Sequence, residues 1–360
     1  MRKKYLVLSL MLAFLVLGGA SCLSFGGSGD GGPAGVFVSS DRGDEWKQVS
    51  VMPAVGGNKD LSGISVYRMM PDPQDPNAIY WSSRGSGLFY SYDAGRSWNH
   101  AAGELSSGFV YGAAVHPEDK CTLFATNGRQ VFKTIDCSRN WTEVFREVAA
   151  SVSLRNVIIE YTPPYSILVG KSDGALLKSV DGGNSWSQIK KFASPIKDIQ
   201  FDRHRPGLVY VATKKKGLFR SEDSGATWES LAEKLDEYTG GLDFRRFHVY
   251  PSEPNQIYWI SKYGIFTSRN AGEDWDVYDL VTPPGSVNIY AFAVNPKNEK
   301  EIFYTATDKG GVRSTFYRSM DGGETWVTKK LPSNQLPTAL YAHPEYDGRV
   351  YIGFTIPPED

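Results

Sequence analysis

The most regularly placed chemical groups in this sequence are carboxylates that precede a tryptophan by five residues. Ser319-Met-Asp321-Gly-Gly323-Glu-Thr-Trp326, read as SMDGGETW, has six relatives: SSDRGDEW, SYDAGRSW, TIDCSRNW, SVDGGNSW, SEDSGATW and SRNAGEDW. They pair Asp41 with Trp46, Asp93 with Trp98, Asp136 with Trp141, Asp181 with Trp186, Asp223 with Trp228, Asn270 with Trp275 and Asp321 with Trp326. Carboxylates in pairs would suit glycoside hydrolysis. A carboxylate between Ser or Thr and Gly suits a different task, which is to accept the backbone N–H groups of the following turn. The Gly supplies positive φ. The Trp starts a returning strand and brings a large surface to bury. Each octet is therefore expected to be a structural hairpin clasp rather than a catalytic element. Asn270 keeps an acceptor, whereas Ser138 replaces the Gly, so the third turn is expected to be the most distorted.

A second set of groups is cationic. Arg84, Arg129, Lys171, Lys214, Lys215, Lys216, Lys262, Lys309 and Arg313 stand in short turns, most of them with Gly, and only Asp173 and Asp308 oppose them there. If those turns ring one opening, they focus field on an anionic protein or glycan. The alternative is that they are ordinary solvated hairpin residues, partly cancelled by Glu104, Glu143, Glu147, Glu229, Glu233, Asp236, Glu237 and Asp243. Glu104 and Asp243 are candidates for a hydrolytic pair, but the sequence does not bring them together, and no catalytic residue is assigned. His100, His116, His204, His248 and His343 are scattered. No metal-ligand spacing, phosphate loop or nucleophile elbow is present, so neither a metal nor a cofactor is expected.

The elements that would position these groups follow from the repeat. Successive octet tryptophans are 42 to 52 residues apart, a period that means a propeller or solenoid. Each repeat reads as four short strands. The first is apolar and small, as in Tyr111 to Val115. The second carries an aromatic: Tyr80, Phe124, Tyr258, Phe303 or Tyr351. The third is a run such as GLFYS, QVFKT, ALLKS or GLFRS leading into the octet, and the fourth begins at the Trp. The chain starts with a third and fourth strand (Val36 to Ser39, Trp46 to Val49) and ends with a first and second (Ala339 to Ala342, Arg349 to Phe354). The expected fold is therefore all-β. It is a seven-bladed β-propeller of four-stranded antiparallel blades, closed by N- and C-terminal strands in one shared blade. The turns between second and third strands, with the blade connections, share one face, and the octets lie on the other. Thr142 to Leu154 and Glu229 to Tyr238 carry some helical periodicity and are expected as longer connections with a helical turn each.

The octet pattern S-x-D-x-G-x-T-W resembles the Asp-box, or bacterial neuraminidase repeat. That repeat occurs in sialidases, xyloglucanases, sortilin-type receptors and the propeller-type photosystem II assembly factor. The resemblance covers nearly the whole chain after residue 35 and implies the propeller. For function it implies either a binding and assembly module or a secreted glycoside hydrolase or lyase. A sialidase would require six blades and an Arg-Ile-Pro motif, and Tyr67-Arg-Met-Met-Pro71 does not match it.

Of the 360 residues, 41% are hydrophobic and 13% aromatic, and the formal net charge is −1. This balance argues against nucleic acid as a partner. Residues 1–22 read as a signal peptide: Arg2, Lys3 and Lys4, an apolar run too short for a comfortable span, then Gly18-Gly-Ala-Ser-Cys22. The last string resembles a lipobox with Gly19 in place of Leu, which makes Cys22 the expected lipidation site and membrane anchor. Plain cleavage after Ala20 is the alternative. Residues 23–35 read as a flexible tether, and 36–360 as the propeller. Cys121 and Cys137 flank a hairpin centred on Asn127-Gly128. They are read as a disulfide in an exported chain, with two buried thiols as the alternative. The expectation is an exported, bacterial membrane-anchored monomer, periplasmic or at the cell surface.

Overall fold

The computed structural model describes residues 32–311 and 313–357. Residues 1–31, which hold the stretch read as a signal peptide, Cys22 and most of the expected tether, lie outside the described residues. Seven four-stranded antiparallel sheets follow one another along the chain. Blade 1 combines Gly35–Ser39 and Lys47–Gln48 with Leu336–Ala342 and Val350–Thr355. Its closing contact is a five-residue antiparallel register from Gly35 opposite Phe354 to Ser39 opposite Val350. Blades 2 to 7 have inner strands at Arg68–Pro71, Gly112–His116, Leu154–Ile159, Ile196–Phe201, Phe244–Val249 and Asn288–Asn295. The second-strand aromatics Tyr80, Phe124, Tyr258, Phe303 and Tyr351 are all buried.

One of the two longer connections differs from the sequence expectation. Thr142–Arg146 is the fourth strand of blade 3, not a helical loop. Pairing with Gln130–Thr134 overrides the weak periodicity. In the other, Glu229–Ser230 is a fourth strand and the expected helical turn follows it as Ala232–Asp236.

Each octet closes on itself by the same three bonds. In blade 7, Ser319 Oγ donates to Asp321 Oδ1 (2.7 Å), Gly323 N donates to Ser319 Oγ (2.8 Å) and Thr325 N donates to Asp321 Oδ1 (2.9 Å). Asn270 reproduces this with Ser268 and Asp274. The Ser138 turn keeps the pattern, and its Ser138 N to Thr134 Oγ1 bond is stretched to 3.3 Å. Cys121 and Cys137 are bonded beside it, with Cα atoms 4.0 Å apart.

The turn holds two consecutive positive-φ residues, one more than the sequence suggested. The pairs are Arg42-Gly43, Ala94-Gly95, Cys137-Ser138, Gly182-Gly183, Ser224-Gly225, Ala271-Gly272 and Gly322-Gly323. A non-glycine residue held there costs about 1 kcal/mol. What the strain secures is the direction of the first residue's carbonyl, which points at the preceding blade. Lys133 Nζ donates to Gly182 O (3.0 Å), Lys178 Nζ to Ser224 O (2.8 Å) and Arg220 Nη1 to Ala271 O (3.2 Å). Tyr351 Oη reaches Ala94 O, and Arg318 reaches the carbonyls of Asp41 and Arg42. Each of these cations directly precedes its own octet and clasps the next one.

The second turn residue packs on the preceding blade. A Cβ on Gly323 would lie 2.3 Å from Tyr278 Cδ1, and one on Gly43 would lie 2.4 Å from Phe316 Cε1. Glycine is thus required twice, for its φ and for this approach. The octet tryptophans bury less than expected: of the seven only Trp98 is fully buried, and the other six are half-buried. Some contribute through the indole N–H, as Trp98 does to Val49 O and Trp326 to Asp279 O.

Two outcomes follow. Gly323→Ala is expected to lose about 2 kcal/mol or more in denaturant titration. The side chains of Asn140, Ser185, Thr227 and Thr325, with backbone amides, hold Asp136, Asp181, Asp223 and Asp321 at about 2, below the ordinary 3.8. Burial holds His248 and His343 at about 4, below 6.5. Depressed values stabilise the fold above the unfolded pKa. The denaturation midpoint should therefore fall first as pH drops below about 6.5, and again from about 4 towards 2.

Candidate functional site

The face opposite the octets is built where the inner strands begin. In five blades the pairing of inner and second strands skips one residue there: Arg155, Lys197, Arg245, Tyr290 and Thr338. Tyr67 and Tyr111 hold the same place in blades 2 and 3, since each donates its N–H to the carbonyl whose residue pairs with the next one, Ser82 or Thr126. A bulge turns its extra residue out of the ladder. The seven bulge positions hold three tyrosines, three cations, one threonine and no carboxylate.

The side chains of blades 2 to 4 form a continuous aromatic and cationic surface. Phe109 stacks on Tyr111 with ring centroids 3.9 Å apart, and Tyr67 meets Phe109 edge-on at 4.8 Å. Arg155 lies 5.0 Å from the Tyr111 ring and Arg84 lies 5.8 Å from that of Tyr67, within cation–π range. Burial lowers the Lys197 ammonium below its ordinary value, and Arg155 and Lys214 add to that effect.

One residue deeper, the corresponding positions are Arg68, Gly112, Asn156, Asp198, Arg246, Ala291 and Ala339. Arg68 of blade 2 reaches across the channel to Asp198 of blade 5 at 3.1 Å, with the two side chains 16% and 11% exposed. Asn156 Nδ2 also donates to Asp198 Oδ1, at 2.5 Å. Arg246 Nε donates to Tyr290 O at 2.5 Å, and its Nη2 donates to Thr338 O. Burial acts against ionising the Tyr67 phenol, but Arg68 and Arg246 outweigh it and hold it below the ordinary tyrosine value.

The cations singled out in the turns are divided by the structure. Arg84 joins the aromatic surface. Lys214, Lys215, Lys216, Lys262, Lys309 and Arg313 are exposed on the turns of blades 5 to 7. Lys171 is neutralised by Glu147 at 2.6 Å, and Arg129 is spent on the carbonyls of Ala149 and Val152. An unbroken ring of turn cations is therefore not formed; the turn cations left exposed lie on blades 5 to 7, and the bulges add Arg155, Lys197 and Arg245. Arg68, Arg155, Lys197 and Arg246 were missed by a reading that inspected turns. The signal was a cation recurring at the start of inner strands, in Tyr67-Arg68, Leu154-Arg155, Ile196-Lys197 and Arg245-Arg246. Glu104 and Asp243 lie in the connections between blades 2 and 3 and between blades 5 and 6, on opposite sides of the ring, so they do not form a hydrolytic pair. Among the described residues no group of three His, Cys, Asp or Glu could hold a metal ion.

No protein-family model matches the chain. A xyloglucanase from Paenibacillus sp is 28% identical over 243 residues, which cover 55% of this chain and 23% of that protein. The photosystem II assembly protein Ycf48 of Thermosynechococcus vestitus is 25% identical over 178 residues, 48% of each chain. Vacuolar protein sorting/targeting protein 10 of Schizosaccharomyces japonicus is 33% identical over 81 residues, covering 22% of this chain and 6% of that one. This chain thus spans less than half the length of each of these relatives. Among solved structures, a GH74 enzyme from Niastella koreensis matches 81% of this chain and 51% of its own, with TM-score 0.64 and 15% identity. A YCF48 bound to D1 peptide matches 81% and 94%, with TM-score 0.59 and 15% identity. These structural likenesses establish the propeller. The sequence relatives are of the xyloglucanase, assembly-factor and sortilin-like kinds that the octets resemble.

The cross-channel pair generates a test. Asp198→Ala leaves Arg68 buried without its counter-charge and should cost about 3 kcal/mol. Replacing both, as Arg68→Met with Asp198→Leu, should restore most of that loss in the same urea titration.

Proposed function

We propose that this propeller is a binding module whose bulge-lined mouth captures an acidic polypeptide segment of a partner protein. The observation that carries the reading is the composition of the bulge ring: aromatic surface and positive charge, with no carboxylate, on a molecule of net charge −1. Aromatic rings supply contact area at low entropic cost, and the cations select sign and speed encounter. The octets are Asp-box repeats in this reading, devoted to the frame. The chain is exported and held at a bacterial envelope membrane by lipidated Cys22, as a monomer. The likeness to a YCF48 bound to D1 peptide supports a protein partner.

A second reading is a glycoside hydrolase of the xyloglucanase kind, and the comparisons as a whole favour it, since several relatives and structural neighbours bear that activity in their names. Against it stand the separation of Glu104 from Asp243 and the engagement of Asp198 by Arg68 and Asn156.

Membrane extracts passed over the intact protein and over an Arg155→Glu, Lys197→Glu variant separate the readings. The binding reading expects a salt-sensitive partner whose capture drops at least about tenfold in the variant. Equal capture by both proteins would reject it. Release of sugars from xyloglucan, abolished by a single Asp or Glu substitution on this face, would establish the hydrolase instead. Cys22→Ser should move the protein from the membrane fraction to the soluble one.

A further inference from the structure

The channel floor beneath the mouth contains a charge imbalance that the fold does not resolve. Asp198 is fully engaged: Oδ1 accepts from Arg68, from Asn156 and from the amide of Ile199 (3.0 Å), and Oδ2 accepts from Gln200 Nε2 (3.3 Å). Among the described residues Arg246 is bonded to the neutral carbonyls of Tyr290 and Thr338 and to no carboxylate. Two guanidiniums thus share one committed carboxylate. Among the described residues Arg68 Nε is buried with no hydrogen-bond partner. A guanidinium N–H can only donate, and leaving a buried donor unpaired is unfavourable, so this group has an unmet demand for an acceptor.

We propose that the channel floor between Arg68 and Arg246 is a carboxylate-binding site, which seats one carboxylate of the captured segment, either a chain terminus or an acidic side chain. A planar carboxylate matches the guanidinium fork, and it would supply the missing negative charge and acceptors together. The electrostatics agree with the geometry. Burial, with Arg68 adding to it, pushes Arg246 down to about 10, as expected where positive charge is under-compensated. Entry is from the mouth, past Tyr67, Arg155 and Lys197. This site rests on the mouth being the binding surface proposed above, and it adds which group of the partner reaches deepest.

The intact protein is titrated with sodium acetate and, separately, with acetamide at matched ionic strength. Melting temperature and the line width of carbon-13 acetate are read together. Acetate should raise the melting temperature by about 2 °C and broaden in the protein's presence, while acetamide should do neither. Arg246→Gln should abolish both responses; if it does not fold, Arg246→Lys, which keeps the charge and loses the fork, should weaken them. No acetate response beyond that of acetamide, or an undiminished one in the variants, overturns the site. N-acetyl-dialanine against its C-terminal amide, and against N-acetyl-aspartate amide, tells a chain terminus from a side chain. Partner capture that depends on Arg155 and Lys197 without any acetate response would sink this site and leave the mouth standing. An acetate response without capture would do the reverse.

Discussion

The structure depends on a backbone carbonyl turned the wrong way. In each octet two successive residues adopt positive φ, and the carbonyl between them leaves its own hairpin to face the preceding blade. In blades 4, 5 and 6 a lysine or arginine from that blade receives it. The donor sits immediately before its own octet, so every such blade both clasps and is clasped. A ring built this way has no tolerance for a sheared blade. The strain in residues such as Ala271 and Ser224 is offset by a charge-assisted bond and by close packing of the next residue on an apolar wall.

That rigidity gives the opposite face its precision. Bulges at equivalent registers bring seven side chains to one opening although they come from strands more than 250 residues apart in sequence, as Tyr67 and Thr338 do. Without fixed blades, Arg68 and Asp198 would not meet across the channel at 3.1 Å. The octet carboxylates, which are the most conspicuous chemical groups in the sequence, are spent on their own turns, and five of the six use both oxygens there. The face without octets carries the under-compensated charge of Arg68 and Arg246, which is why the proposed recognition is assigned to it.

Much of the frame was legible because octets mark every repeat and because the chain ends are incomplete in complementary ways. The closing strands Gly35–Ser39 and Val350–Thr355 fall within a residue or two of where the sequence put them. Thr142–Arg146 was misread because a fourth strand is an edge, and an exposed edge strand carries no strict alternation. The mouth was only half legible. A turn cation such as Lys171 is easily seen in sequence, but that Glu147 neutralises it depends on the preceding blade. Arg68 and Arg246 stand inside apolar strands, where a cation looks incidental until the neighbouring bulge turns it into the channel.

The central claim is that recognition occurs on the bulge ring and not on the octet face. A photo-crosslinking amino acid in place of Tyr111, and separately in place of the exposed octet residue Met320, tests it most directly in intact cells. Adducts with a partner from position 111 and none from position 320 are the expected result. Adducts from position 320 alone would contradict the account.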